Sequence, residues 1–189
     1  MNPLALLGVA IGIGAYVTQR QRPSKQPSHP VPEAVIATIR GAAAKAGVPL
    51  QVALAFARVE SNLNPAAEGD LHWADTHPDK YRTLVLEMLH DNPFAGDPSR
   101  WHSYGLYQLN AAYFTRGLED PRLLLDPERN ASRALPYLHG LLRAAGGDPF
   151  DARYRYVGCG PKGVHCADSV RLSIRARLTA ALKEFQGVV

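Results

Sequence analysis

Apolar residues recur at helical spacing in five stretches of the chain, and this spacing predicts a mainly α protein. In residues 32–47, Val35, Ile36, Ile39, Ala42, Ala43 and Ala46 fall on one stripe that ends at Gly47. Pro49 stands where a first helical residue is tolerated, and residues 49–61 form a second helix that stops before Asn62 and Pro65. A break covers 62–78. A third helix is expected over 79–91, with Tyr81, Leu84, Val85, Met88 and Leu89 inward. A Pro- and Gly-containing segment then leads into residues 103–114. A fourth helix, 126–147, turns Ala134, Leu135, Leu138, Leu141 and Leu142 inward, with Pro136 as a candidate kink. Residues 150–166 show no clear period. Residues 167–187 read as a final amphipathic helix carrying Val170, Ile174, Leu178, Ala181 and Phe185. No run alternates with period two, and no repeat is visible.

The pattern changes before residue 32. Residues 1–19 carry no side-chain charge, and the apolar core of this segment, Leu4 to Val17, is shorter than the roughly 20 residues of a membrane helix. The whole uncharged stretch is just long enough to span. It has no basic start and no clear cleavage site, so it is anchor-like or signal-like rather than a standard secretory signal. Gly8 and Gly12 have the spacing of a helix-packing motif in lipid, or simply reflect a segment of small residues. Arg20, Arg22 and Lys25 follow it, and the positive-inside rule would then leave the rest of the chain in the cytoplasm. Residues 20–31 are rich in Pro, Ser and charge and read as a semi-extended linker. The expected organisation is an apolar segment at 1–19, a linker at 20–31 and a globular domain at 32–189.

Composition narrows the partners. The 189 residues are 46% hydrophobic and 20% charged, which allows one domain with a sizeable core. A net charge of +4 and a pI near 9.2 suit an anionic polymer, nucleic acid or bacterial wall. The basic groupings, Arg20/Arg22/Lys25 and Arg171/Arg175/Arg177, lack the interleaved aromatics of a single-strand binder. Nucleic acid is therefore not an expected partner.

Glu60 is the residue with the most chemistry to offer. By helical spacing it shares a face with Ala53, Leu54 and Ala57 and closes an apolar run at a helix C-terminus. Desolvation and the negative end of the helix dipole both oppose its ionisation. A carboxyl kept protonated near neutral pH can act as a general acid. The bland alternative is an exposed glutamate at a helix end.

Three stretches in order weigh in favour of the acid: "VESNLNPAA" at 59–67, "SYGLYQLN" at 103–110 and "DPERNASRALPYLHGLLRAAGGDPFDARYRYVG" at 126–158. Together they resemble the soluble lytic transglycosylases, relatives of goose-type lysozyme that cut the glycan strand of peptidoglycan. Glu60-Ser61 matches the family's Glu-Ser pair. Gly105, Leu106 and Gln108 match its Gly-Leu-x-Gln signature, and Asp126 to Asn130 its helix start. Tyr156 matches the tyrosine of its Tyr-Asn-Ala-Gly motif. The resemblance covers about residues 48–161 and implies a lysozyme-like α domain.

It implies Glu60 as general acid and then base, with no cofactor, and the substrate's own C6 hydroxyl as nucleophile, giving a 1,6-anhydro product at the MurNAc-GlcNAc β-1,4 bond. It also implies Gln108 against the sugar, close backbone approach at Gly105, a hydrogen bond from Tyr156 near Glu60, and cleft contacts from Ser61 and Ser103. A hydrolase on the same fold would add a second carboxylate, for which Glu68, Asp70 and Asp75 are candidates. Two departures stand out. Val157 replaces the family's asparagine, and 45 positions separate Glu60 from Gly105, more than the family usually has. The added segment holds Trp73 and Trp101, which either wall the cleft as sugar-stacking faces or fill a small core of the insert.

Cys159 and Cys166 sit in the short loop "CGPKGVHC". A disulfide there implies an oxidising compartment; free thiols are the alternative. A metal site recruiting His165 has poor spacing and lacks a fourth ligand, and His72, Asp75 and His77 read as a solvated loop, so no metal is expected. The expected function is a peptidoglycan lytic transglycosylase, periplasmic or in the cell envelope, tethered to the inner membrane through residues 1–19. The alternatives are a hydrolytic muramidase, or a wall-binding or phage-virion component that keeps the fold without activity.

Overall fold

The computed structural model describes residues 32–71, 73–88, 96–115 and 119–188. The apolar segment 1–19 and the linker 20–31 lie outside the described residues. Among those described, no helix is long and apolar enough to cross a membrane.

The domain is mainly helical. Helix α1 (Glu33–Ala46) and helix α2 (Leu50–Ser61) are followed by two short helices, α3 (Trp73–Thr76) and α4 (Pro78–Met88). Helix α5 (Ala111–Phe114) precedes the long α6 (Pro127–Ala144), which contains Pro136. Helices α7 (Pro149–Tyr156) and α8 (Asp168–Glu184) complete the chain. The expected helices 32–47, 49–61, 126–147 and 167–187 appear within a few residues of their predicted ends.

Helix α2 is the centre of the molecule. Ala53, Leu54, Ala55, Phe56 and Ala57 are all fully buried. Five consecutive residues point to every side of a helix, so the middle of α2 is apolar all round, as a segment enclosed by other helices must be. Helix α1 packs on both α2 and α6, and α8 packs along α2. The α8 contact is also polar: Gln51 donates to the carbonyl of Leu182 at 2.7 Å and Arg177 to that of Val59 at 2.6 Å. Helix α2 ends at Asn62, whose backbone is left-handed (φ 59°) and whose side chain accepts from Arg58 at 2.7 Å. This stop leaves Glu60 in the last helical turn.

Two features were not legible in the apolar pattern, and a third decides between two expectations. Residues 68–69, 103–104 and 109–110 form a miniature antiparallel sheet, β1-β2-β3, pairing Gly69 with Ser103 and Ser103 with Asn110. Two-residue strands are too short to show alternation. Helix α7 lies inside the stretch that showed no period, because it buries Asp151 and Arg153 along with Ala152 and Tyr154. The insert between Glu60 and Gly105 builds a small core jointly with α5: Trp101, 2% exposed, packs with Leu84, Ala112, Tyr81 and Tyr113. Its ring meets those of Tyr81 and Tyr113 edge to face, with centroids 5.9 and 6.0 Å apart. Trp101 is thus packed as core rather than offered as a stacking face.

Candidate active site

Strands β2 and β3 are joined by Gly105-Leu106-Tyr107-Gln108, a tight turn closed by the amide of Gln108 on the carbonyl of Gly105 at 3.1 Å. Gly105 (φ 73°) and Gln108 (φ 47°) are both left-handed. A Cβ on Gly105 would lie 2.4 Å from both the carbonyl oxygen of Leu124 and Nδ2 of Asn130. Glycine is required there so that the turn can seat on Asn130. Close approach at Gly105 is therefore made to the protein's own α6 side.

Asn130 is fully buried and supplies three bonds. Its Oδ1 accepts from the amide of Tyr107 at 3.0 Å, and its Nδ2 donates to the carbonyls of Tyr104 (2.8 Å) and Leu124 (2.9 Å). Tyr107 reaches the carbonyl of Ala53 on α2 with its hydroxyl at 3.1 Å. Ser61 Oγ lies 2.8 Å from the carbonyl of Leu106 and 3.1 Å from that of Ala57. Tyr156 on α7 donates to the carbonyl of Tyr107 at 2.6 Å. One four-residue turn is thereby tied to α2, which carries Glu60, and to α6 and α7. Networks of this kind hold a site rigid.

Gln108 donates to the carbonyls of Ala67 and Gly105, each at 3.1 Å. Its Oε1 occupies the space where a Cβ on Gly69 would be, 2.3 Å away. Ser103 donates to Oδ2 of Asp70 at 2.5 Å, and Asp70 itself is left-handed (φ 58°). The hydroxyls and amide of Ser61, Ser103 and Gln108 are thus engaged within the protein.

Glu60 lies where these elements meet, its side chain only 3% exposed. Burial follows from the helical face read in the sequence. Facing it is Arg153 of α7, itself 4% exposed, whose Nη1 forms an ion pair with Glu60 Oε1. The Arg153 guanidinium sits 5.6 Å from the ring centre of Phe56 and 5.5 Å from that of Tyr156, so two aromatic faces hold it. Nε of Arg153 has no hydrogen-bond partner among the described residues. Burial pushes the Tyr156 phenol well above the ordinary tyrosine range; the Glu60 carboxylate pushes the same way and Arg153 opposes. Tyr156 is therefore a neutral hydrogen-bond donor at any working pH. It donates to Tyr107, not to Glu60, and so braces the turn.

The order of these parts along the chain is that of a known domain. A model of the transglycosylase SLT domain matches residues 37–164. The chain belongs to the transglycosylase SLT family. Its general function is thereby a glycosidase-type, transglycosylase- or lysozyme-like action on peptidoglycan. No curated protein and no solved structure matches the chain.

Within this SLT domain, Arg153 and Asn130 are the site residues the sequence reading passed over. Asn130 was in view only as part of a helix start. Arg153 had a readable signal: Asp148-Pro149 is a helix-starting pair, with Asp148 accepting from the Phe150 amide at 2.9 Å. Counting from that start places Arg153 and Tyr156 three apart, on one face.

Cys159 and Cys166 are joined in a disulfide directly after α7. Its loop is stitched to the helix: Asp151 accepts from the Lys162 amide and from Arg155, and the Cys159 amide donates to Tyr154 at 2.7 Å. Among the described residues, no group of His, Cys, Asp and Glu could hold a metal ion. Replacing both cysteines by serine is expected to cost about 2 to 3 kcal/mol, the loop-closure entropy of so short a loop. Urea unfolding of the two proteins checks this; equal midpoints would show that the loop is held by Asp151 alone.

Proposed function

We propose that the domain is a lytic transglycosylase that cuts the β-1,4 bond between N-acetylmuramic acid and N-acetylglucosamine. The observation that carries this reading is the buried Glu60 carboxyl, held at the meeting point of α2, α7 and the 105–108 turn. In the reaction, protonated Glu60 gives its proton to the glycosidic oxygen as the C1–O bond breaks. The oxocarbenium-like centre is attacked by the C6 hydroxyl of the same sugar. Glu60, now a carboxylate, accepts that hydroxyl's proton. No water is consumed, and the new end is 1,6-anhydro-N-acetylmuramic acid. A single carboxyl suffices, which agrees with the exposed positions of Glu68 and Asp75.

One observation favours a second reading. The bond from Ser103 to Asp70 orients a carboxylate at the sheet, as a hydrolytic muramidase would require of its second acid. Mass analysis of digested wall decides between them. Transglycosylase products are each one water lighter than hydrolysed ends; reducing ends alone would make the domain a muramidase and Asp70 the residue to replace next.

We also propose that the domain acts in the cell envelope, held there through residues 1–19, or is carried to the wall in a phage particle. Support comes from the uncharged run followed by a Pro-rich linker, and from a site built wholly from residues beyond 50. A chain shortened to begin at Val31 should fold and cleave wall at the full-length rate while losing membrane association. Loss of cleavage in a folded shortened chain would make the segment part of the catalytic unit.

A further inference from the structure

We infer that Arg153 is the positioning residue for Glu60, holding it as the ionised carboxylate in the unliganded domain. The inference rests on the reading of Glu60 as the acid and base of the reaction, and it deepens that reading. Burial alone would keep the Glu60 carboxyl neutral, ready to donate a proton. The structure instead buries a cation against it, with side-chain exposures of 3% and 4%. An opposite charge held this close to a carboxylate favours its ionised form.

Among the described residues, the other ionisable groups near the pair do not cancel this. From α7, Tyr156 is a neutral phenol whose proton is committed to the Tyr107 carbonyl. From the 105–108 turn, Tyr107 is likewise neutral, burial having pushed its phenol well up, and it bonds to Ala53. From α6, Tyr137 stacks beside Tyr156 and is shifted up by burial. From α8, Arg177 donates to the Val59 carbonyl, one residue before Glu60, and adds positive charge. On α2 itself, Arg58 is paired with Glu184 at the surface.

The guanidinium is fixed by more than Glu60. It also lies over the rings of Phe56 and Tyr156, which meet each other edge to face, so these contacts remain when the carboxyl is neutralised. Two consequences follow. Arg153 keeps the Oε1 oxygen aimed at one place, and it stabilises the carboxylate that exists after the proton has been given away. It also opposes the first protonation. The alkaline limb of kcat/KM, which reports loss of the acid form in the free enzyme, should therefore lie at lower pH than burial alone would place it.

The test uses the full-length chain and isolated wall sacculi, comparing wild type with Arg153→Met, Arg153→Gln, Arg153→Lys and Glu60→Gln. Removing the cation should move the alkaline limb up by about one pH unit or more, the effect of losing an adjacent opposite charge. Arg153→Lys, which keeps the charge, should leave the limb near its wild-type place. An arginine that only supports packing would lower activity by the same factor at every pH, and a limb unmoved in both neutral variants overturns the inference.

A second measurement needs no Arg153 variant. The carbon-13 carboxyl resonance of Glu60, assigned by its loss in Glu60→Gln, should be that of an ionised carboxylate near neutral pH. A neutral carboxyl there overturns the inference whether or not the Arg153 variants fold. A Glu60→Gln protein with full activity would instead overturn the catalytic reading itself, so the two failures are distinct.

Discussion

Glu60→Gln is expected to lose at least about 10²- to 10⁴-fold in wall cleavage, the usual contribution of a positioned acid, while remaining folded. Glutamine keeps the shape and one acceptor oxygen, but it has no proton to transfer. It also leaves Arg153 facing a neutral amide. That guanidinium still lies over the rings of Phe56 and Tyr156, so the α7 side of the site should not collapse. Breaking a buried pair by removing one charge costs about 3 to 5 kcal/mol, so stability must be read beside activity. Circular dichroism and a denaturant midpoint provide that control. An inactive protein with a native spectrum assigns the chemistry to Glu60; wild-type cleavage by a folded Glu60→Gln protein would mean another residue is the acid.

Gly105→Ala should be the most damaging single methyl that can be added near the site. Two penalties combine. The left-handed backbone costs an alanine about 1 to 2 kcal/mol, and the new methyl would lie 2.4 Å from the carbonyl oxygen of Leu124 and from Nδ2 of Asn130. Backbone cannot rotate away as a side chain can, so the turn must lift off α6. Lifting it breaks the Asn130 bonds to Tyr107 and Tyr104, and each buried group left unpaired costs about 1 to 3 kcal/mol. The expected loss is about 4 kcal/mol or more. Because Ser61 and Tyr156 hold the same turn, activity should fall with stability. Thermal unfolding checks the first and sacculus clearance the second; a change in melting temperature within error of zero would mean the turn has room that its contacts do not show.

The sequence alone was enough for the helices that bury one continuous stripe. Ile39, Leu138 and Leu178 are core residues because apolar side chains at helical spacing must face something dry, and that rule is local. It was also enough to put Glu60 on a buried helical face, where its side chain is 3% exposed. The order of Glu60, Gly105, Gln108 and Tyr156 carried the family. Tertiary structure decided the rest, and in each case the cause was a contact between residues distant in the chain. Gly105 is glycine because of Leu124 and Asn130, 19 and 25 positions away. Helix α7 hid its period because it buries charges: Asp151 is met by its neighbours Arg155 and Lys162, but Arg153 is met by Glu60, 93 residues earlier. Local pattern could place Glu60 on its helix, but only the packing of α7 against α2 could put a cation beside it.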